Sequence, residues 1–139
     1  FMIRIKLFRL FWYFLYPLFW EPSARWPYSC LKPAQKIIQE NNIKLIWNTS
    51  GPFVSSQLAY MLKQRCQVKW VCDLRDPFTD TYSFSWPSKL HWYLCRRIER
   101  RIWRKADRLV VVTPGMKRQF EKRKFIDPEK LIVITNGYS

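Results

Sequence analysis

Four short apolar segments alternate with stretches of helical spacing, and this alternation constrains the fold more than any other feature. Residues 43–47 (IKLIW), 68–74 (VKWVCDL), 108–113 (RLVVVT) and 131–135 (LIVIT) have the length and the β-branched or aromatic content of buried strands. Residues 53–64, 89–106 and 114 to about 124 read as the helices between them. A further helix over 31–41 precedes the first strand and stops at Asn41-Asn42. Strand and helix in turn predict an α/β domain, a Rossmann-like parallel sheet with helices on both faces. Right-handed crossovers then put the C-terminal ends of the strands on one edge, where open sheets of this kind bind ligands.

The loops on that edge hold the candidate residues. The first reads Asn48-Thr49-Ser50-Gly51-Pro52. Small polar residues before a helix start let backbone N–H groups and the helix dipole face a polar or negative group; a plain N-cap turn has the same composition. The second, Asp73-Leu74-Arg75-Asp76-Pro77-Phe78, places an arginine between two carboxylates at the end of an apolar strand. An aspartate there can hold a sugar hydroxyl or take its proton, and an arginine can grip an anion with two parallel hydrogen bonds. An internal Asp–Arg pair that only shapes the loop is the alternative. Asp76 lies past the strand and is the candidate catalytic group; Asp73 lies within the strand and reads as structural. Thr113 ends the third strand, and Asn136-Gly137 form the turn after the fourth.

Composition narrows the classes. The chain has 139 residues, of which 48% are hydrophobic, enough for one domain with a core and too many for a disordered segment. A formal charge of +15 draws it towards anions: lipid head groups, nucleic acid or phosphorylated substrates. The four cysteines form no CxxC pair and no zinc spacing, which suits reduced thiols in the cytoplasm. A single histidine leaves no room for a multi-histidine metal site, and no metal is expected.

Residues 1–26 stand apart from the alternating region, 27–139. Ile3, Leu7, Leu10, Phe11 and Phe14 recur at helical spacing, Pro17 ends the run, and a connector rich in Pro and Trp follows. The uncharged stretch 10–20 is 11 residues long, against the roughly 20 that a membrane span needs. It has no cleavage site of a signal peptide. Its aromatic residues, preceded by Arg4, Lys6 and Arg9, suit a membrane interface, and equally suit a helix packed on other parts of the protein.

Taken in order, these segments resemble the N-terminal domain of family 4-like glycosyltransferases with the GT-B fold. The match runs from Trp26 and Ile37-Ile38 through IKLIWNTSGPFVSSQLA (43–59), VKWVCDLRDPFTDTY (68–82), IERRIWRKADRLVVVT (98–113) and KLIVITNGYS (130–139). The WVCDLRDPF stretch is the most specific part; relatives have Arg-Asp-Pro-Trp there. The Asn-Gly-Tyr at 136–138 is similar to the end of that domain, although relatives follow it with Asp where this chain has Ser139.

The resemblance implies a two-domain enzyme that moves a sugar from a nucleotide-sugar to an acceptor with retention of configuration and without an essential metal. The donor would be held by a C-terminal domain that follows this chain, so no cofactor is expected on the chain itself and the isolated chain is expected to be inactive. Acceptor-side residues would be Asn48, Thr49, Ser50, Gly51, Pro52, Arg75 and Thr113, with Asp76 catalytic and Asn136 and Gly137 in the cleft between domains. The implied acceptor is a glycan or a lipid-linked, envelope or polysaccharide precursor.

On a helical wheel of 89–106, Leu94, Ile98, Ile102 and Ala106 share one face. Arg96, Arg97, Arg100 and Arg104 gather opposite, with Trp92 and Trp103 at the border. Trp92, Arg96, Arg100, Trp103 and Arg104 are therefore expected to face an anionic membrane, on the cytoplasmic side, with the protein peripheral to it. The other reading is a basic module that binds a membrane or nucleic acid without catalysis. Nucleic acid is not the expected partner, because the strands read as buried and offer no aromatic platform for bases.

Overall fold

The computed structural model describes residues 25–80, 86 and 88–137. The segment expected over 3–16 lies outside the described residues. The elements run α1 (Trp26–Glu40), β1 (Leu45–Ser50), α2 (Val54–Cys66), β2 (Lys69–Leu74), α3 (Lys89–Trp103), β3 (Arg108–Val111), α4 (Pro114–Glu121), a 3-10 turn (Pro128–Lys130) and β4 (Leu131–Val133). The strands form one parallel sheet in the order β1-β2-β3-β4. The α/β, Rossmann-like architecture read from the sequence is the one observed.

Several boundaries differ from the sequence reading, and three of them have a plain physical cause. α1 begins at Trp26 rather than at residue 31, because Pro27 occupies the first turn, where its missing N–H has no helical partner to lose. Pro33 inside the helix removes one internal bond without ending it. α1 ends where Asn42 takes a left-handed φ of 51°, and α2 ends on Gln67 at 54°. Finally, β1 continues to Ser50, since its ladder with β2 runs from Leu45↔Lys69 to Ser50↔Leu74. Asn48, Thr49 and Ser50, read as loop residues, are thus strand residues, and the first loop starts at Gly51.

The strand order has a further consequence. When spatial order follows sequence order, every right-handed crossover lies on the same side of the sheet. Helices on both faces need a reversal of strand order, and the described residues contain none. α2, α3 and α4 accordingly share one core with the same side of the sheet: Trp70, Cys72, Leu74, Leu109, Val111 and Leu131 from the strands meet Ala59, Ile102, Trp103, Met116 and Phe120. α1 packs on α2 through a smaller cluster of Leu31, Ile38, Leu62 and Val68. The helices among the described residues lie on this one side of the sheet.

Candidate functional site

The strand ends are aligned. Ser50 pairs with Leu74, Leu74 with Val111, and Val111 with Val133, so the four loops leave the sheet side by side. At about 4.8 Å per strand this row spans roughly 14 Å. Gly51, Pro52, Arg75, Asp76, Thr113, Asn136 and Gly137 are all exposed along it. The edge presents one arginine and one carboxylate at the second loop, beside the start of α2, whose N-cap residue Phe53 supplies no side-chain cap. A helix N-terminus carries partial positive charge. Arginine and helix end therefore favour an anionic or hydroxyl-rich group, and the Asp76 carboxylate stands exposed next to Arg75 in the same loop.

Other predicted site residues have internal roles. Asn48 lies on the covered side of the sheet. Its amide nitrogen donates to Ser55 Oγ (3.0 Å) and Ser56 Oγ (3.1 Å), and its oxygen accepts from the Trp70 indole N–H at 2.6 Å. Both amide hydrogens are used and the oxygen holds the Trp70 indole, so Asn48 is engaged inside the fold and not displayed on the exposed edge. Ser50 is buried at 6% exposure and is likewise removed from the surface set. Thr49 points to the opposite face, where its hydroxyl donates to Asp73 Oδ2 at 3.1 Å. Thr113 caps α4: its Oγ1 accepts from Met116 N–H at 3.1 Å.

Sequence reasoning missed the group that holds the second loop in place. Glu99 is fully buried, and its carboxylate accepts Thr79 N–H (3.2 Å) and Thr79 O–H (2.7 Å). Arg96 donates to Thr79 Oγ1 and to Asp80 Oδ1. Arg123, also buried, pairs with both Asp80 and Glu99. The indoles of Trp86 and Trp92 donate to Thr79 O. Two arginines and two carboxylates balance in charge, which permits their burial. Burial pushes the Glu99 carboxyl up, against the pull of Arg123 and Thr79. Burial also raises Asp80, but Arg96 and Arg123 outweigh it and hold that carboxyl below its ordinary value. The available signal was Glu99 itself, the lone acid in the basic run 89–106, on the same helical face as Cys95.

The membrane-facing set is also revised. Trp103 is 1% exposed, packed edge-on against Phe53 and Phe120 with the Arg123 guanidinium over its ring. It cannot reach a membrane. Arg96 is committed to Asp80 and stacks on Trp92. The buried stripe of α3 runs through His91, Cys95, Glu99 and Ile102, offset by one residue from the predicted line at Leu94 and Ile98 and sharing Ile102 with it. Arg100 and Arg104 remain exposed. Among the described residues no helix is long and apolar enough to cross a membrane, and no group of three His, Cys, Asp or Glu could hold a metal ion.

The family model described as Glycosyltransferase Family 4 matches residues 8–139 of the chain. No curated protein matches it.

Proposed function

From the premise that this chain belongs to Glycosyltransferase Family 4, we propose that it forms the acceptor side of a retaining glycosyltransferase of the GT-B type. The observation that carries this reading is the aligned edge, where Arg75 and Asp76 stand exposed beside the start of α2. In the proposed reaction an acceptor hydroxyl attacks the anomeric carbon of a nucleotide-sugar from the same face that the nucleotide leaves, so that configuration is retained. The bond from that carbon to the nucleotide's phosphate oxygen breaks, and the nucleoside diphosphate departs with the electron pair. Asp76 accepts the hydroxyl proton. Arg75 orients an anionic or polyhydroxylated acceptor through its planar donors, and Gly51 and Pro52 shape the wall beside it. Asn136 and Gly137 lie where the chain leaves the sheet towards a donor-binding domain.

The acceptor class that fits this edge and the +15 charge is a glycan carried on an anionic lipid or envelope precursor. The outward side of α3 supports approach to an anionic membrane from the cytoplasm. Leu90 and Tyr93 are exposed at its start, and Arg97, Arg101 and Arg104 continue along it. Its cations are screened by salt, so binding to phosphatidylglycerol vesicles should weaken as ionic strength rises.

The test of the catalytic assignment is Asp76→Ala in a protein that carries both domains. Loss of a positioned base lowers turnover by about 10²–10⁴-fold. Because Asp76 is exposed, stability should change by less than about 0.5 kcal/mol. An unchanged rate removes Asp76 from the chemistry.

A further inference from the structure

The end of the sheet opposite Arg75 and Asp76 holds a cleft of about 430 Å³. It lies where α3 passes into β3 and the 3-10 turn passes into β4, and it is lined by the end of α3 and by the segment that leads from α4 to β4. Ligand clefts run from about 300 to 1,000 Å³, so this one has room for a small molecule. Trp103, Phe125, Ile126 and Pro128 make its apolar wall. Arg104, Lys124 and Lys130 bring three cations to it, against the one carboxylate of Asp127.

The lining is rich in unused hydrogen-bond donors. The Trp103 indole is buried, and its N–H, which can only donate, has no partner among the described residues. A buried donor left in this way costs free energy unless something accepts from it. Lys130 Nζ donates to Arg104 O at 3.3 Å and to Ala106 O at 3.1 Å. Those two bonds fix the ammonium at the end of α3 and leave its third N–H unused. The Arg104 guanidinium and the Lys124 ammonium are exposed and have no hydrogen bond or ion pair with a described residue. Acceptors are scarcer. The two carbonyls are held by Lys130, and Asp127 Oδ1 accepts Glu129 N–H at 3.1 Å.

We infer that this cleft binds a phosphate ester. Three cations against one carboxylate leave two positive charges, which repel a cationic ligand and attract an anionic one. A phosphate supplies acceptor oxygens only, the complement of a lining with donors in excess. The Arg104 guanidinium can meet two of its oxygens in parallel, and Lys124 adds a point charge. Lys130, already held by two carbonyls, offers its remaining N–H with little further ordering. The apolar wall takes the organic group to which the phosphate is esterified. That group belongs either to a soluble metabolite or to a lipid whose head group enters the cleft. The site is separate from the edge proposed for sugar transfer and does not depend on that assignment.

Nuclear magnetic resonance on the whole chain tests this. The Trp103 indole N–H signal is assigned by triple-resonance spectra and followed through three titrations. The probes are phenyl phosphate, phenol, and nanodiscs of phosphatidylcholine with and without phosphatidic acid. The expected result is a saturable shift of that signal with a phosphate probe and none with phenol. A shift with phenyl phosphate assigns a soluble ester, and a shift confined to the phosphatidic acid nanodiscs assigns a lipid head group. Arg104→Ala combined with Lys124→Ala should raise the dissociation constant by about tenfold or more, the loss of one hydrogen bond to a charged group. Lys32→Ala combined with Arg65→Ala removes two exposed cations from α1 and α2 and should change it by less than about twofold. The proposal is overturned by the lack of a saturable shift with either phosphate, or by an equal shift with phenol. Equal weakening in the two double variants also overturns it, because the attraction would then come from the charge of the whole protein and not from the cleft.

Discussion

Phe53 and Phe78 stack ring on ring, with 3.9 Å between centroids and 5° between planes. Phe53 is the N-cap residue of α2, two residues past Gly51, and Phe78 lies two residues past Asp76. The stack therefore ties the first edge loop to the second. It also extends in both directions: Trp86 meets Phe78 edge-on at 5.7 Å, and Trp103 meets Phe53 at 6.4 Å. Beneath the polar edge lies an aromatic floor that fixes the spacing between the Gly51 turn and the Arg75–Asp76 pair.

That coupling is measurable. Phe53→Leu and Phe78→Leu each remove a ring while keeping an apolar side chain, and a stacked aromatic pair contributes about 0.5–1.5 kcal/mol beyond the area it buries. A double-mutant cycle by urea unfolding should return a coupling of about 1 kcal/mol. Additive single effects would mean that the rings are neighbours without being partners.

The sequence was most legible where one physical pattern acted alone. Trp70, Cys72 and Leu74 alternate with Lys69, Val71 and Asp73, and this period of two, bounded by Gln67 and Arg75, marks β2 to within a residue. The ends of β1 were harder to read. Asn48, Thr49 and Ser50 have loop composition, yet they are held in the strand by ladder bonds to β2 and by the Asn48–Trp70 contact. Those partners are 22 or more residues away, and no local window contains them. Trp103 was misplaced for a related reason: tryptophan beside arginines resembles an interfacial residue until Arg123 is seen covering the ring. Of the site, Arg75 and Asp76 were visible as an unusual loop. Thr79 and Glu99, which anchor that loop, carry no motif of their own.

The anchor itself should be intolerant of one-sided change. Arg123→Leu leaves Glu99 buried with only Arg96 nearby as a cation, at 3.6 Å. Breaking a buried pair in this way costs about 3–5 kcal/mol. Replacing Glu99 by Leu as well removes the stranded charge and should recover part of the loss. Urea midpoints of the single and double variants distinguish this from a surface pair, for which Arg123→Leu would cost under about 1 kcal/mol.

Thiol chemistry separates the four cysteines into two classes. Burial pushes Cys72 and Cys95 up to about 12, with Ser56 partly opposing the rise at Cys72. Cys30 and Cys66 are half-buried. A thiol-disulfide reagent acts on the thiolate, so at pH 8 the native chain should release two equivalents of chromophore promptly, from Cys30 and Cys66. All four cysteines should react in urea. Prompt reaction of all four without denaturant would show that the core opens readily.

Asp107 ties the layers together at the other edge of the sheet, and its charge should be visible in the acid limb of stability. Its carboxylate accepts the Trp70 N–H at 2.7 Å and pairs with Lys63 beneath α2. Burial pulls its pKa up, but the bonds from Lys63 and Trp70 outweigh that and hold it below the ordinary value. A carboxyl depressed in the folded state stabilises fully above its unfolded pKa of about 3.9, and the contribution is lost as pH falls through the lower folded value. Asp80 acts in the same direction. Glu99, raised by burial, acts in the opposite one: its contribution is complete below about 4.3 and declines as pH rises through its folded value. Asp107→Asn should therefore lower stability near neutral pH by about 1–2 kcal/mol, the range for a hydrogen bond to a charged group discounted for partial exposure. The gap to the parent protein should close as both are taken down through pH 4 towards 2. Urea midpoints over that range decide the matter; a gap that stays constant to the lowest pH would assign the loss to packing and not to the carboxylate charge.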